Sequence, residues 1–243
     1  MRWILVCLLF LISAHRLAHS ADLTFIVSAD FEPYTFATPD GGGSGVMYEI
    51  VREMSTRLGQ DVHIQFMPWG RAQAIAKSES NIGILPLARV AEREEDYTWI
   101  VEILREPYVF LATKESKVDI SNLDAIRKLR VGTFSGSLSE TLLREKGITN
   151  FKSVTTDAQN IHLLKSGRID AWVAPLSFKK RYKGIGDDGL RVGVTLVILH
   201  EYLAASKNLP AEKVQRWRDA FRSMKRDGTY AVIMKKYGYE PLK

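Results

Sequence analysis

The feature that most constrains the fold of this chain is a regular alternation of strand-like and helix-like segments. The apolar run 23–29 (LTFIVSA) predicts a buried strand, which the turn formers Pro33 and 41–43 (GGG) bring to an end. Apolar residues then recur at every fourth position and predict a helix that ends at Gly59. These residues are Val46, Ile50, Met54 and Leu58. Such an alternation favours an α/β fold.

The same alternation continues to the C-terminus. Further strands are predicted at 62–66, 82–87, 108–112, 130–134 and 169–174. Further helices are predicted at 72–77, 121–129, 139–146, 158–165, 211–225 and 229–237. Ser121 is the predicted N-cap of the helix at 121–129. No internal repeat, low-complexity tract or linker interrupts the pattern. The order predicts mostly parallel sheets whose strands are connected by helices.

The N-terminus has the layout of a secretory signal peptide. A basic start precedes an apolar run at 3–12, and Ala18 and Ser20 are small residues at the positions that a signal peptidase reads. We expect cleavage after Ser20, with 1–20 as the leader; the alternative is a leader that stays attached as an anchor. The apolar run is too short to span a bilayer as a helix. Because Cys7 lies inside it, the secreted chain has no cysteine for a disulfide, thiol nucleophile or thiolate metal site.

The charge pattern argues against nucleic acid as a partner. The chain has 34 Lys and Arg against 28 Asp and Glu, and the two signs are interspersed. No dense basic stripe is interleaved with aromatic residues, and the densest basic run, 179–181, is predicted to be a solvated loop. No segment after the leader is long and apolar enough to insert into a membrane.

Four segments carry a family resemblance. The first is 28–34 (SADFEPY) with 45–49 (GVMYE), and the second is 87–93 (LARVAER) with 97–99 (YTW). The third is 131–140 (VGTFSGSLSE) with 167–171 (GRIDA), and the fourth is 224–230 (MKRDGTY) with 235–238 (KKYG). In this order they resemble the bacterial extracellular solute-binding proteins of the polar amino-acid-uptake type, family 3.

The resemblance implies an α/β, two-lobed periplasmic-binding-protein (type II) fold. Its two mostly parallel sheets are flanked by helices and joined by two crossover hinge strands. Lobe one is expected at 21–112 plus 201–243, lobe two at 113–200, and the ligand in the cleft between them. The implied protein is a periplasmic monomer that closes on a small polar carboxylate-bearing solute, an amino acid or a related acid. The implied partner is an inner-membrane ABC permease. The alternatives are a sensing accessory protein for a membrane receptor and a dehydratase-like enzyme on the same fold.

A fixed cation for the ligand carboxylate is expected at Arg93. A guanidinium is always charged, and its planar fork of donors matches a carboxylate. The resemblance assigns this role to Arg93 because Trp99, an aromatic residue, follows six positions later. Arg89 is the competitor. Either arginine could instead form surface ion pairs with the neighbouring glutamates.

Oriented backbone amides are expected at Ser137, Leu138 and Ser139, where a turn runs into a helix. Backbone amides at a helix start lack intrahelical partners and lie at the positive end of the helix dipole, so they can bind an anion. A serine hydroxyl could add a further hydrogen bond. The alternative is ordinary N-capping, for which serine is favoured.

Aromatic walls of the cleft are expected at Phe31 and Trp69. Phe31 matches the stacking position that the family places after the first strand, and Trp69 lies where the family has a second wall. Both are flanked by turn formers. Trp172 is predicted to be a core residue instead.

Two positions depart from the family pattern. Pro175 stands where amino-acid binders carry an aspartate for the ligand ammonium, and Ala88 replaces a serine or threonine that helps to hold it. Neither side chain can accept a hydrogen bond. Glu32, Asp30 or Asp170 could substitute, although the family gives Asp170 a structural place. A carboxylate without an α-ammonium group is therefore the alternative ligand.

The sequence carries no enzyme, cofactor or metal signature. His63, His162 and His200 are scattered, and no serine elbow, metal-ligand spacing or phosphate loop is present. A buried Glu32 could in principle act as an acid, as in dehydratases on this fold. We therefore expect a binding protein that catalyses nothing and needs no cofactor.

Overall fold

The computed structural model describes residues 22–28, 31–178 and 189–242. The predicted leader 1–20, Asp30 and the basic run 179–181 lie outside these ranges. Within them, no helix is long and apolar enough to cross a membrane.

The alternating order of strands and helices is confirmed. The strands are β1 Phe25–Ser28, β2 Phe36–Ala37, β3 Gly43–Ser44, β4 Ile64–Phe66, β5 Ile82–Ala88, β6 Tyr97–Thr113, β7 Val131–Phe134, β8 Phe151–Val154, β9 Ala171–Pro175 and β10 Leu190–Ser206. The helices are α1 Val46–Arg57, α2 Trp69–Ser78, α3 Leu123–Ile126, α4 Leu138–Glu145, α5 Asp157–Lys165, α6 Ala211–Asp227 and α7 Thr229–Lys236, with a 3₁₀ turn at Ala91–Arg93.

The main sheet has the strand order β4-β1-β5-β10-β6-β9-β7-β8. β4, β1 and β5 pair in parallel and are called the first block here; β9, β7 and β8 also pair in parallel and are called the second block. β6 and β10, each of 17 residues, run antiparallel to one another between the blocks. The two sheets expected from the sequence are thus joined into one hydrogen-bonded order, because β10 also pairs with β5 and β6 with β9.

Helices cover both faces of each block, which explains why its inner parallel strands are mostly apolar. In the first block, Met54 of α1 and Trp217 of α6 are fully buried on one face, and Ala76 of α2 on the other. In the second block, Trp172 packs on the α5 side and Leu143 of α4 on the opposite side. Trp172 is therefore a core residue, as predicted.

The predicted helix at 121–129 is shorter in the structure, and its predicted N-cap is wrong. α3 begins at Leu123, and Asn122 is the N-cap: its side-chain oxygen accepts a hydrogen bond from the Ala125 amide at 2.9 Å. The Ser121 amide instead donates to Asp119 at 2.9 Å. Ser121 therefore belongs to the preceding turn, and an asparagine serves equally well as a cap.

Gly45 permits the sharp entry of the chain into α1. Its φ is +120°, and a Cβ at this position would lie 2.4 Å from the carbonyl oxygen of Tyr34. That oxygen also accepts a hydrogen bond from the Met47 amide at 2.9 Å. Only glycine fits such a close approach at this φ. The packing fixes the loop that carries Phe31 against the start of α1.

Candidate functional site

A cavity of about 60 Å³ lies where the carboxyl ends of parallel strands from both blocks meet. Its walls come from the ends of β5, β7 and β9, from the first residues of α2, α4 and α5, and from the crossover strands β6 and β10. Open α/β sheets bind their ligands at this edge. The space corresponds to roughly four to six water molecules, which suits a small solute.

Arg93 lines this cavity from the 3₁₀ turn that follows β5. Its Nη1 donates a hydrogen bond to the carbonyl oxygen of Ala88 at 3.2 Å. Within the described ranges, no carboxylate lies at ion-pair distance from Arg93, whereas Arg57, Arg89 and Arg130 each have one. Burial lowers the pKa of Arg93, with the nearby Glu201 opposing this effect. The guanidinium therefore has donors available toward the cavity.

Arg89 does not line the cavity. Its side chain is exposed, and its Nε donates to Oε2 of Glu94 at 3.0 Å. Its guanidinium also lies 5.3 Å from the ring of Trp99 and 5.5 Å from that of Tyr202. The hydrogen bonds that Arg89 donates to Glu94 raise the pKa of Arg89 above its usual value. This arginine already has a carboxylate partner and two aromatic neighbours.

Ser137, Leu138 and Ser139 line the cavity from the start of α4. The helix begins at Leu138, one residue earlier than predicted, and Ser137 occupies the N-cap position without forming a capping hydrogen bond. Its hydroxyl instead donates to the carbonyl oxygen of Phe134 at 2.6 Å. The first amides of α4 therefore have no side-chain cap, which is the arrangement that an anion site requires.

Phe31 lies between the two blocks. Its ring centroid is 5.1 Å from that of Tyr34, 5.5 Å from that of Phe134 and 6.2 Å from that of Phe178. Phe134 and Phe178 both belong to the second block's side of the molecule. Phe31 and Trp69, which is the first residue of α2, line the cavity and are both partly exposed.

The two departures from the family pattern lie in the cavity wall. Ala88 and Pro175 both line it, and neither supplies a side-chain acceptor. Glu32 is exposed and is not a lining residue. Asp170 is held by Arg130, whose Nε donates to its Oδ2 at 2.9 Å, so Asp170 has a structural partner.

Sequence reasoning missed two acidic residues in the same wall, Glu201 of β10 and Asp157 of α5. Glu201 is 3 % exposed. Burial raises its pKa to about 8; Glu106 adds to the rise and Arg93 opposes it. Burial, reinforced by the charge of Glu32, raises the pKa of Asp157 to about 7.

A sequence signal existed for each of these residues. Glu201 interrupts the apolar run 196–205 (LVILHEYLAA), and an acid inside such a run is unusual unless it has a function. Asp157 follows a strand in an α/β pattern, at the edge where ligand residues collect. An acid in the first turn of a helix is common for its favourable dipole interaction, which masks the signal. The missed part of the wall is completed by Pro86, Tyr108, Phe134, Val173 and Leu199.

The fold and the position of the cavity together define the class of protein. Two parallel blocks, joined by two long crossover strands with a cavity at their junction, are the architecture of the periplasmic binding proteins. The sequence profile of the bacterial extracellular solute-binding proteins, family 3, matches residues 23–240. The chain belongs to this family, as the resemblance predicted. No curated protein sequence matches the chain.

Solved structures share the fold at low sequence identity. An ancestral arginine-binding protein bound to glutamine is 21% identical with a TM-score of 0.77, over 89% of this chain and 98% of that chain. A histidine kinase sensor domain with similarity to periplasmic binding proteins is 18% identical with a TM-score of 0.80, over 90% and 98%. The GluR0 ligand-binding core from Nostoc punctiforme, in complex with L-glutamate, is 19% identical with a TM-score of 0.78, over 88% and 99%. These likenesses establish the fold alone.

Proposed function

We propose that this chain is a periplasmic solute-binding protein that holds a small carboxylate-bearing solute between two lobes. The observation that carries the proposal is Arg93, a partly buried guanidinium that lines the cavity without a carboxylate partner in the described ranges. Buried charges are normally paired. A ligand carboxylate would supply the missing partner through two parallel charge-assisted hydrogen bonds.

The amides of Ser137, Leu138 and Ser139 are proposed as the second half of this anion site. They belong to the second block, whereas Arg93 follows the last strand of the first block. A carboxylate that contacts both would bridge the proposed lobes, 21–112 plus 201–243 and 113–200. Such a ligand favours the closed form because it makes one set of contacts only when the lobes meet.

The crossover strands β6 and β10 are proposed as the hinge. Their ladder carries register shifts, one of them between Glu201 and Tyr202, close to the cavity. Bulges of this kind bend and twist a strand locally. Phe31, which packs against Phe134 across the junction, would then close over the solute.

The proposed role of binding is delivery to an inner-membrane ABC permease, after cleavage of the leader at Ser20. The histidine kinase sensor domain shares the fold, so ligand sensing is the second candidate. Uptake of the bound solute should fall in a strain that lacks the gene. Unchanged uptake, together with a lost transcriptional response to the solute, would favour sensing.

We also propose that the site catalyses no reaction. Glu32, the residue considered as an acid, is exposed and lies outside the cavity wall, and we assign the two acids of the wall, Glu201 and Asp157, to holding the solute. A bound solute should therefore be recovered chemically unchanged after long incubation with the protein, as measured by NMR. Conversion of the solute would overturn this part of the proposal.

Arg93 and Arg89 provide a matched test of the anion site. Removing a charge-assisted bidentate contact costs about 1.5–3 kcal/mol, so Arg93→Ala should weaken binding of a carboxylate solute by more than tenfold. Arg89→Ala should change affinity by less than about threefold, because exposed ion pairs contribute little. Calorimetry on solutes first identified by thermal shift measures both. The reverse ranking of the two variants would contradict the assignment.

A further inference from the structure

Glu201 and Asp157 are acidic side chains that line the cavity without partners of their own. Glu201 is 3 % exposed, and within the described ranges its carboxylate forms no hydrogen bond or ion pair. The same holds for the carboxylate of Asp157, which is partly exposed at the start of α5. A carboxylate that only supports the fold is normally paired when it is buried. By contrast, the buried Asp22 pairs with Arg216 at 3.0 Å.

A basic side chain and two acidic side chains are held apart in this cavity. Arg93 lines the same walls as Glu201 and Asp157, yet neither acid lies within ion-pair distance of it. The three residues come from different elements: the 3₁₀ turn, β10 and α5. If these residues served the fold alone, an Arg93–Glu201 pair would satisfy both groups. Their separation instead fits a ligand that carries a negative and a positive group.

We propose that Glu201 and Asp157 bind a cationic group of the ligand, an ammonium or guanidinium, in place of the acceptor that Pro175 and Ala88 lack. The inference rests on the proposed function, since it takes Arg93 as the carboxylate site. It makes the ligand an amino acid rather than an ammonium-free acid. The proposed acceptors thus lie on β10 and α5 rather than at the end of β9.

Proton release accompanies binding under this assignment. The groups that act electrostatically on Glu201 are Arg93, which favours its ionised form, and Glu106, which disfavours it. Glu32 acts on Asp157 and disfavours ionisation. A ligand cation favours the ionised form of both acids and lowers their pKa values. Near pH 7, a solute with a cationic group should therefore release protons when it binds.

The test uses titration calorimetry of the full-length protein and its variants. The probes are the common L-amino acids and, for each one that binds, the acid that lacks the α-ammonium group. Glu201→Gln and Asp157→Asn keep the side-chain shape, and Glu145→Gln on the exposed surface of α4 is the control. Circular dichroism and thermal melting establish that each variant is folded. Buffers of different ionisation enthalpy report the protons released.

We expect the wild type to bind at least one amino acid with release of protons, and to bind its ammonium-free counterpart at least tenfold more weakly. Glu201→Gln and Asp157→Asn should each reduce amino-acid affinity about tenfold or more, with fewer protons released. Unchanged amino-acid affinity in both variants overturns the inference. So does equal or tighter binding of the ammonium-free acid, or binding of no probe.

Failure of the inference is distinguishable from failure of the proposed function. If Arg93→Ala abolishes binding while Glu201→Gln and Asp157→Asn have no effect, the carboxylate site stands and the cation site falls. If Arg93→Ala has no effect on any probe that binds, the proposed function itself fails.

Discussion

Replacing Glu201 with glutamine should stabilise the ligand-free protein, and the gain should grow with pH. Burial raises the pKa of this carboxyl from an ordinary 4.5 to about 8. Between these values the unfolded chain has lost the proton while the folded protein still binds it. Stability therefore falls as pH rises, by 1.36 kcal/mol per pH unit for one proton. The contribution is fully present below about pH 4.5 and is lost as pH rises to about 8.

The magnitude follows from the width of that interval. An interval of about 3.5 pH units corresponds to about 5 kcal/mol, which is an upper value. We therefore expect the stability of Glu201→Gln relative to the wild type to rise by about 2–5 kcal/mol between pH 5 and pH 9.

Urea unfolding at a series of pH values measures this difference, with the protein refolded from denaturant to remove bound solute. Glu145→Gln, at an exposed position, should show a difference from the wild type that is independent of pH. A pH-independent difference for Glu201→Gln would refute the reasoning. It would mean that Glu201 is solvated or paired in solution, and the argument for an unpartnered buried acid would fail with it.

Three further outcomes follow from the packing. Asp157→Asn should stabilise the ligand-free protein relative to the wild type, by an amount that grows as the pH rises from about 4 to the Asp157 pKa of about 7. The same urea-unfolding series measures this difference. Phe31→Ala should weaken solute binding severalfold in calorimetry while lowering stability by about 1–2 kcal/mol, since the ring is only partly buried; a collapse of the fold would make Phe31 a core residue. Gly45→Ala should destabilise the protein by more than about 2 kcal/mol in thermal melts, because its Cβ would lie 2.4 Å from the Tyr34 carbonyl oxygen. The control Gly70→Ala, whose Cβ would have no heavy atom within 4 Å, should be neutral or slightly stabilising.

Most strands of the parallel blocks could be predicted from the sequence because they are largely apolar and their helices are periodic. The edge strand β8, which carries exposed Lys152 and Ser153, was not predicted. β5 is buried along its whole length, and α1 buries residues at the spacing that its sequence shows. The crossover strands could not be predicted in the same way. β10 was missed and β6 was predicted only at 108–112, because register shifts at several points break the two-residue alternation that identifies a strand.

The residues of the candidate site likewise differ in whether the sequence could predict them. Arg93 and 137–139 could be predicted as site residues because short motifs carry the family resemblance and mark a helix start, and in the structure they line one cavity. Glu201 was missed because it lies on the unpredicted strand β10, far from Arg93 in sequence. Asp157 was missed because an acid at a helix start has an ordinary explanation. Local spacing predicts contacts within a segment, whereas the juxtaposition of Glu201 with Arg93 depends on the antiparallel pairing of β5 with β10.

The cost of these unpaired groups explains why a solute should stabilise the protein strongly. Arg93, Glu201 and Asp157 are held by three elements whose positions are set by packing elsewhere, so they cannot relax into mutual ion pairs without moving β10 or α5. A zwitterionic solute satisfies the positive and the negative wall at once, and does so fully only when both blocks contact it. The contacts that a zwitterionic solute makes with both walls thus supply free energy for closure. Both acids ionise as the pH rises toward about 8, where the ammonium group of an amino acid is still protonated. Stabilisation by an amino acid should therefore be larger near pH 8 than at pH 5 for the same solute excess.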